Sequence, residues 1–288
     1  MEPFFLRNEQ FYLIEGWPSD SLVAGFTSKN GGESTEDFFS LNLGFHVHDN
    51  IKTVCRNRET VSQLLDFPME NWVGAEQTHD IQIANIQKRH RGKGASEYGD
   101  SFKHTDGFFT KESGVLLTLC FADCVPLYFY APQHQAIGIA HAGWKGTVRG
   151  IGKEMIQLFK TEQIPTDEVF AVIGPAICEK CYIVDNRVID LVQNILEDVE
   201  EKPYNLINDN QYHLNLKELN RLILLQSGVP AENIEVSNFC TSCHKEHFFS
   251  HRRDEGKTGR MLGFIGWKED IKTNDEGNGQ FNSNKRTN

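Results

Sequence analysis

The chain has 288 residues and a formal net charge of −11, and 39% of its residues are hydrophobic. This composition is typical of a globular protein with a substantial core, and it argues against a disordered chain. An acidic surface repels phosphate backbones, so nucleic acid is not expected as a partner. No apolar run reaches the ~20 residues that span a bilayer, and the N-terminus lacks the pattern of a signal peptide. We therefore expect a cytoplasmic protein that does not interact with membranes.

Hydrophobic periodicity predicts alternating strands and helices along the chain. In chain order, strands are predicted over Trp72–Ala75, Val115–Phe121, Val125–Tyr130, Ala136–Ala140, Glu168–Ile173, Ile234–Ser237 and Met261–Trp267. Helices are predicted over Thr147–Lys160, Asn186–Leu196 and Leu216–Leu225. This order favours an α/β or α+β layered sandwich, with a mixed β-sheet and flanking helices. Residues 1–268 are predicted to form a single catalytic domain. The polar residues 269–288 are predicted to be a disordered tail.

Three predicted strands end close to a histidine or a cysteine, namely His79, Cys124 and His141. Taken singly, each has an ordinary alternative, such as a surface histidine or a buried structural cysteine. Taken together, they match the ligand set of a catalytic zinc site, in which three protein ligands leave one position open. Such an ion lowers the pKa of its bound water to about 7. The spacing of these residues matches no local zinc motif, so the sequence alone does not bring them together.

Cationic residues follow the last of these strands and recur near the C-terminus. Gly143 and Gly146 flank Lys145 at a strand–helix turn, where backbone N–H groups and the lysine would suit an anion. The alternative is an ordinary strand–turn–helix junction. The segments FFSHRRD (248–254) and TGRM (258–261) supply arginines that would suit phosphate or carboxylate. The alternative there is a solvated turn, in which Arg253 and Asp254 pair locally.

Two further motifs could bind metal. Cys178-x-x-Cys181 and Cys240-x-x-Cys243 could form a closed four-cysteine zinc site. Because Cys178 falls early in a turn after Gly174-Pro175, the sequence favours redox pairing or simple burial instead. The seven cysteines are an odd number, which argues against a disulfide framework. His46-x-His48 could also supply ligands, although loop positions are the simpler interpretation.

Several uncommon segments occur in one order and resemble the bacterial laccase-domain family. They are SLNLG (40–44), QTH (77–79), ADCVP (122–126), HAGWKGT (141–147), GPAIC (174–178) and FFSHRRD with TGRM. Members were first described as multicopper polyphenol oxidoreductases and later as purine nucleoside phosphorylases. The resemblance extends from about residue 20 to residue 267. It implies a cysteine-hydrolase-like α/β sandwich with a metal site on His79, Cys124 and His141, occupied by zinc in preference to copper.

The resemblance also implies an activity. Purine nucleosides and phosphate would be the small-molecule partners, and adenosine, inosine or guanosine would yield a free base and ribose 1-phosphate. Methylthioadenosine cleavage and adenosine deamination are implied as well. In this interpretation the catalytic residues are Cys124, His141 and Asp123, where Asp123 either orients a ligand or transfers a proton. The substrate-binding residues are Asn42, Lys145 and Arg260. The oligomeric state is left open.

Three rival functions stay open. A copper-dependent phenol oxidase would need many histidine ligands, whereas His46-x-His48 is the one His-x-His pair in the sequence. A cysteine hydrolase would use Cys124 as its nucleophile and His79 or His141 as its base, and the resemblance also implies a role in peptidoglycan precursor editing. A non-enzymatic, metal-stabilised module is the third.

Overall fold

A computed structural model describes residues 1–17, 21–196 and 201–269. The strands in these residues are β1 (Phe4–Leu6), β2 (Phe11–Ile14), β3 (Leu22–Thr27), β4 (Trp72–Val73), β5 (Ile83–Asn85), β6 (Gly107–Thr110), β7 (Val115–Phe121), β8 (Val125–Ala131), β9 (Ala136–Ala142), β10 (Phe170–Ile173), β11 (Ile183–Val184), β12 (Tyr204–Asn208), β13 (Gln211–Leu214), β14 (Ile234–Val236) and β15 (Met261–Trp267). The α-helices are α1 (Ile51–Leu65), α2 (Trp144–Arg149), α3 (Ile151–Thr161), α4 (Asn186–Ile195) and α5 (Leu216–Gln226). The predicted tail lies outside the described residues, except for Glu269.

Two six-stranded mixed sheets pack face to face. The first has the order β1-β2-β3-β15-β7-β4, and the second has the order β14-β10-β8-β9-β6-β5. The first sheet has one parallel pair, β7 with β4 at an edge, and the second has a parallel pair at each edge, while the other pairs are antiparallel. The consecutive strands β7 and β8 belong to different sheets, so the chain crosses from one sheet to the other at residues 122–124. The predicted layered sandwich with mixed sheets and flanking helices is confirmed.

The core has three parts, because both faces of each sheet are covered. Along β8, Tyr128 and Tyr130 pack between the sheets, while Leu127 and Phe129 pack with the helices α3 and α5. The Tyr128 hydroxyl donates a 2.7 Å hydrogen bond to the Gly25 carbonyl of the opposite sheet. Helix α1 covers the outer face of the first sheet. Burial on both faces explains why these strands are continuous apolar runs without alternation.

The observed strand ends correct some of the predicted ones. The strands β7 and β15 have the predicted bounds, but β9 continues to Ala142, so His141 lies within a strand. The predicted strand at Trp72–Ala75 is shortened to two residues. Beyond it, the backbone of Gly74 bonds to Lys93 and Phe102, which belong to a loop. A third, three-stranded sheet of order β11-β13-β12 adjoins α4. Among the described residues, no helix has the length and apolar character that crossing a membrane requires.

The helix predicted over Thr147–Lys160 is two helices, α2 and α3, which meet at Gly150. Gly150 has a φ of 91°, in the left-handed region, and its N–H closes α2 on the carbonyls of Gly146 and Thr147. The apolar periodicity continues across this break, so the pattern alone could not reveal it. The consequence is that α2, which follows His141, is only six residues long.

We expect G150A and G152A to have opposite effects on the free energy of unfolding. G150A should destabilise the protein by about 1–2 kcal/mol, because alanine disfavours the left-handed region. Gly152 lies inside α3, and a Cβ there would make ordinary 3.4 Å contacts with Leu127 and Leu224. G152A should therefore be neutral or stabilise by up to about 1 kcal/mol. Denaturant unfolding of both variants measures the difference, and equal stabilities would contradict the helix break.

Candidate functional site

His79, Cys124 and His141 meet in space, and we call them the three-ligand site. Their ligand atoms all lie within 4.8 Å of one another. His79 follows β4 of the first sheet, Cys124 lies at the crossing between the sheets, and His141 belongs to β9 of the second sheet. The site is therefore assembled where the two sheets join, from residues that are far apart in sequence.

A buried carboxylate, Asp106, fixes two of these residues. One carboxylate oxygen accepts hydrogen bonds from the His79 N–H at 3.0 Å and from His141 Nδ1 at 2.9 Å. The other oxygen accepts the N–H groups of Thr78 and Asp80, both at 3.0 Å. Burial raises the pKa of Asp106, but these bonds outweigh it and hold the pKa below its ordinary value. Bonding through Nδ1 leaves Nε2 of His141 facing the site, as in carboxylate–histidine–zinc arrangements.

Cys124 and His141 each stabilise the charged form of the other. Burial raises the pKa of Cys124, but the charges and hydrogen bonds of His141 and His79 lower it to about 6. Burial lowers the pKa of His141, but the Cys124 thiolate and Asp106 raise it to about 9. The thiolate is the form of cysteine that binds metals. One thiolate and two imidazoles therefore make a donor set that fits zinc.

Gly143 lets the chain pass close to the three-ligand site. A Cβ at this position would lie 2.9 Å from Cys124 Sγ and 2.9 Å from His79 Cδ2, distances that real Cβ atoms do not show. A side chain here would push the thiol or the imidazole away from the site. The glycine of the HAGW segment is therefore required by the close approach.

The three-ligand site opens into a cavity of about 420 Å³. Its walls carry three cationic residues, Lys145, Arg252 and Arg260, and two aromatic residues, Trp144 and Tyr182. This volume lies within the range of small-molecule sites. The cavity thus combines a metal-ligand set, positive charge for an anion and apolar rings for a flat ligand.

The other candidate histidines and arginines differ in whether they line the cavity. Among the described residues, His46 lines the cavity but His48 does not. Desolvation and the charges of Arg260 and Arg58 lower the pKa of His46 to about 4, so it is neutral at pH 7. Arg253 pairs with Asp254 at 2.7 Å, so the alternative of local pairing is the observed arrangement.

Asp123 supports the loop that carries Cys124. It has a φ of 84° and is buried, and its carboxylate accepts bonds from Thr241 Oγ1 at 2.6 Å and Ser250 Oγ at 3.0 Å. The backbone N–H of Arg252 donates a third bond, at 2.7 Å. With both oxygens engaged, the structure favours an orienting role for Asp123 over proton transfer.

Asn42, predicted to bind substrate, does not line the cavity. It is fully buried, and its Oδ1 accepts the N–H groups of Gly44 at 3.0 Å and Arg260 at 2.9 Å. Its Nδ2 donates to Asp49 at 2.9 Å. Its polar atoms are used within the protein, and one of them positions the backbone of Arg260.

The two CxxC pairs also meet, as the four-cysteine zinc site considered from the sequence would require. The sulfur atoms of the four residues all lie within 4.8 Å of one another, and we call them the thiol cluster: Cys178, Cys181, Cys240 and Cys243. The reason is topological. β10 and β14 are parallel neighbours, so the segments that follow them leave the sheet at the same edge. No single-sequence signal pairs those two strands.

Asp106 and Tyr182 were not predicted from the sequence. Asp106 lies between a loop and β6, and an aspartate before a glycine is a common turn sequence. Tyr182 follows the first CxxC pair, so a correct placement of that pair would have pointed to it. Gln77 is a third such residue, and its side chain bonds the backbone N–H and carbonyl of Cys120 at 2.7 and 2.9 Å.

Comparisons with known proteins show the family of this chain. A family model described as "Multi-copper polyphenol oxidoreductase laccase" matches residues 23–268. A Bacillus subtilis relative named "Purine nucleoside phosphorylase YlmD" is 48% identical, over 93% of this chain and 98% of its own length. A Staphylococcus epidermidis "Purine nucleoside phosphorylase" is 37% identical, over 93% of this chain and 100% of its own.

Solved structures share the fold. The crystal structure of YlmD from Geobacillus stearothermophilus superposes with a TM-score of 0.92 at 46% identity, covering 93% of this chain and 100% of its own. That of Neisseria meningitidis protein NMB0706 has a TM-score of 0.76 at 29% identity, covering 90% of this chain and 100% of its own.

We expect D106N to bind zinc at the three-ligand site about 10–100-fold more weakly, as is typical when a residue that orients metal ligands is replaced. The amide cannot ionise, and its NH₂ group cannot accept the N–H bonds of the His79 loop. Zinc affinity is measured by competition with a chromophoric chelator. D80N is the matched control, since Asp80 lies in the same loop but pairs with Arg149 at the surface. Equal affinities of D106N and the native chain would contradict the orienting role.

Proposed function

The chain belongs to the multi-copper polyphenol oxidoreductase laccase family, and we propose that this member is a zinc-dependent purine nucleoside phosphorylase. The proposed substrates are adenosine, inosine, guanosine and methylthioadenosine, with adenosine deamination as a second activity. The observation that carries the proposal is one cavity that holds the three-ligand site beside three cationic side chains. The names of the relatives support the same activity.

The cationic wall would bind phosphate. Arg252 and Arg260 present guanidinium groups, which match phosphate oxygens, and Lys145 adds an exposed ammonium. Arg260 is held in place because its Nη1 donates to the carbonyls of Thr258 and Gly259 at 2.8 and 3.0 Å. Fixing phosphate beside the sugar converts attack on C1′ into a step within one complex, which lowers its entropic cost.

The aromatic wall would bind the purine. Trp144 and Tyr182 offer faces for a flat base, and the Arg252 guanidinium already lies 4.9 Å from the centre of the Tyr182 ring. Burial raises the pKa of Tyr182 well above its ordinary value, so its hydroxyl keeps its proton and can donate to a nitrogen of the leaving base. Neutral His46 could donate in the same way.

Zinc would be bound by His79, Cys124 and His141, and Asp106 would orient both histidines. A bound zinc ion would supply Lewis acidity, which polarises a water molecule or a substrate oxygen. This set provides three ligands where zinc takes four, so the fourth coordination position would be left for a water molecule or a substrate atom in the cavity.

A second candidate function is a cysteine hydrolase. Asp106, His141 and Cys124 are connected in the order carboxylate, imidazole and thiol, which is the order of nucleophilic triads. This reading needs no metal. It predicts that an electrophile labels Cys124 and that substrate turnover survives metal removal.

A multicopper oxidase finds less support in the geometry. Within residues 1–17, 21–196 and 201–269, two groups of three or more histidine, cysteine or acidic ligands gather, namely the three-ligand site and the thiol cluster. Neither has the many histidines that a group of several copper ions requires. The family description is therefore a weaker guide to the activity than the cavity.

We expect the native chain to release hypoxanthine from inosine in a phosphate-dependent reaction, and H141A to lower kcat/KM by about 100-fold or more. The loss follows because H141A removes a metal ligand and the partner of Asp106. H134A is the matched control, since His134 pairs with Glu168 outside the cavity. Coupled spectrophotometric detection of hypoxanthine, with zinc content determined in parallel, measures both effects. Unchanged turnover in H141A would remove the metal-dependent proposal.

We expect K145A to raise the KM for phosphate about tenfold, which corresponds to about 1.4 kcal/mol for one charged contact. Adenosine deamination, which consumes no phosphate, should be nearly unaffected. K153A is the matched control, because Lys153 is an exposed lysine on α3. Initial rates at varied phosphate and fixed inosine give the KM. If K145A instead slows both reactions equally, the lysine does not act through phosphate.

A further inference from the structure

We propose that the thiol cluster is a second zinc site, closed and structural, that binds its ion through four thiolates. It shares no residue with the three-ligand site, and the proposed activity does not use it. Its ligands are two CxxC pairs that come from separate segments of the chain. Each thiol would bind as a thiolate and release its proton to solvent.

The sulfur positions fit a tetrahedral zinc site. Four sulfurs at about 2.3 Å from a central zinc ion are about 3.8 Å apart. The Sγ atoms of Cys178 and Cys243 are 3.9 Å apart, and those of Cys181 and Cys243 are 3.4 Å apart. Both of these pairs join one CxxC motif to the other, whereas a redox disulfide of the CxxC type would join cysteines within one motif. The sulfur positions therefore fit one ion that would be shared by the two motifs.

Backbone donors already point at the sulfur of Cys240. The N–H of Cys178 lies 3.2 Å from Cys240 Sγ, and the N–H of Cys243 lies 3.4 Å from the same atom. Hydrogen bonds from backbone N–H groups stabilise the negative charge of a thiolate. Cys240 is also the buried member of the cluster. A buried sulfur that accepts two N–H groups is prepared to carry charge, which simple burial of a thiol would not require.

A buried cation offsets part of the charge. Four thiolates and one zinc ion carry a net charge of −2. The ammonium of Lys217 is buried, and it interacts electrostatically with Cys240, Glu2 and Cys178. Its hydrogen bonds go to the carbonyls of Ser237 and Phe239, and no carboxylate of the described residues lies within 4 Å of it. The thiolates of the cluster would therefore add negative charge, beside that of Glu2, next to this buried lysine.

A zinc ion here would join two walls of the cavity. The first CxxC segment leads to Tyr182, and the second leads to Arg252, and both residues line the cavity. The segments already meet near Asp123, whose carbonyl accepts the Ile177 N–H at 3.0 Å and whose carboxylate accepts Thr241 Oγ1. The ion would therefore hold the loop of Cys124 without contacting substrate.

Metal analysis of the full chain tests the proposal. The native chain should contain about two zinc ions, and C243A and H141A about one each, with about none in the double variant. C243H should keep about two, because histidine is also a zinc ligand and sites with three cysteines and one histidine are common. C55S is the matched control and should also keep about two, since Cys55 lies outside both clusters. Equal zinc content in C243A and the native chain would overturn the proposal.

A spectroscopic measurement leaves the thiol cluster unmodified. Zinc X-ray absorption of H141A, in which the three-ligand site is disabled, should show a shell of four sulfurs at about 2.3 Å. A shell containing nitrogen or oxygen, or a disulfide between Cys178 and Cys181 in the purified protein by mass spectrometry, would overturn the proposal. Because the readout is coordination and not turnover, failure of the phosphorylase activity would leave this result unaffected.

Discussion

The buried carboxylate of Asp106 is the interaction on which the three-ligand site depends. It bonds the His79 backbone and the His141 ring through one oxygen, so a histidine from the loop after β4 and a histidine from β9 are held by the same atom. A buried carboxylate is costly unless all of its acceptor capacity is used. Here that requirement is met by the same N–H groups that set the geometry. The same hydrogen bonds therefore offset the desolvation of Asp106 and align the two histidines.

The crossing between the two sheets imposes the second constraint. β7 and β8 are packed on both faces, and three residues join one strand to the other. Asp123 makes this short crossing with a left-handed φ, and its buried side chain accepts hydrogen bonds from Thr241, Ser250 and the backbone of Arg252. Cys124 comes next in the chain. The position of the thiol is thus set by C-terminal residues more than a hundred positions away.

How much the sequence could predict follows from this arrangement. Continuous apolar runs gave the bounds of β7 and β15, because burial on both faces leaves a local signature. Local patterns also placed a histidine or cysteine near each relevant strand end. The break at Gly150 was missed because periodicity continues through it. The roles of Asp106 and Asn42 depend on backbone groups that approach from elsewhere in the fold, and the thiol cluster depends on the parallel pairing of β10 with β14. Non-local pairing has no pattern in a single sequence.

The two cysteine-containing clusters differ in whether a bound ion would keep an open coordination position, and this difference determines what each cluster can do. The three-ligand site supplies one thiolate and two imidazoles and faces a cavity, so a bound ion would keep a position for a reactant. The thiol cluster supplies four sulfurs, which fill a tetrahedral shell and leave no position for chemistry. Both clusters are tied to Asp123, one through the next residue and the other through Thr241 and Ile177. A closed site that fixes the loop of an open one would allow the open site to keep an unfilled position without losing its geometry.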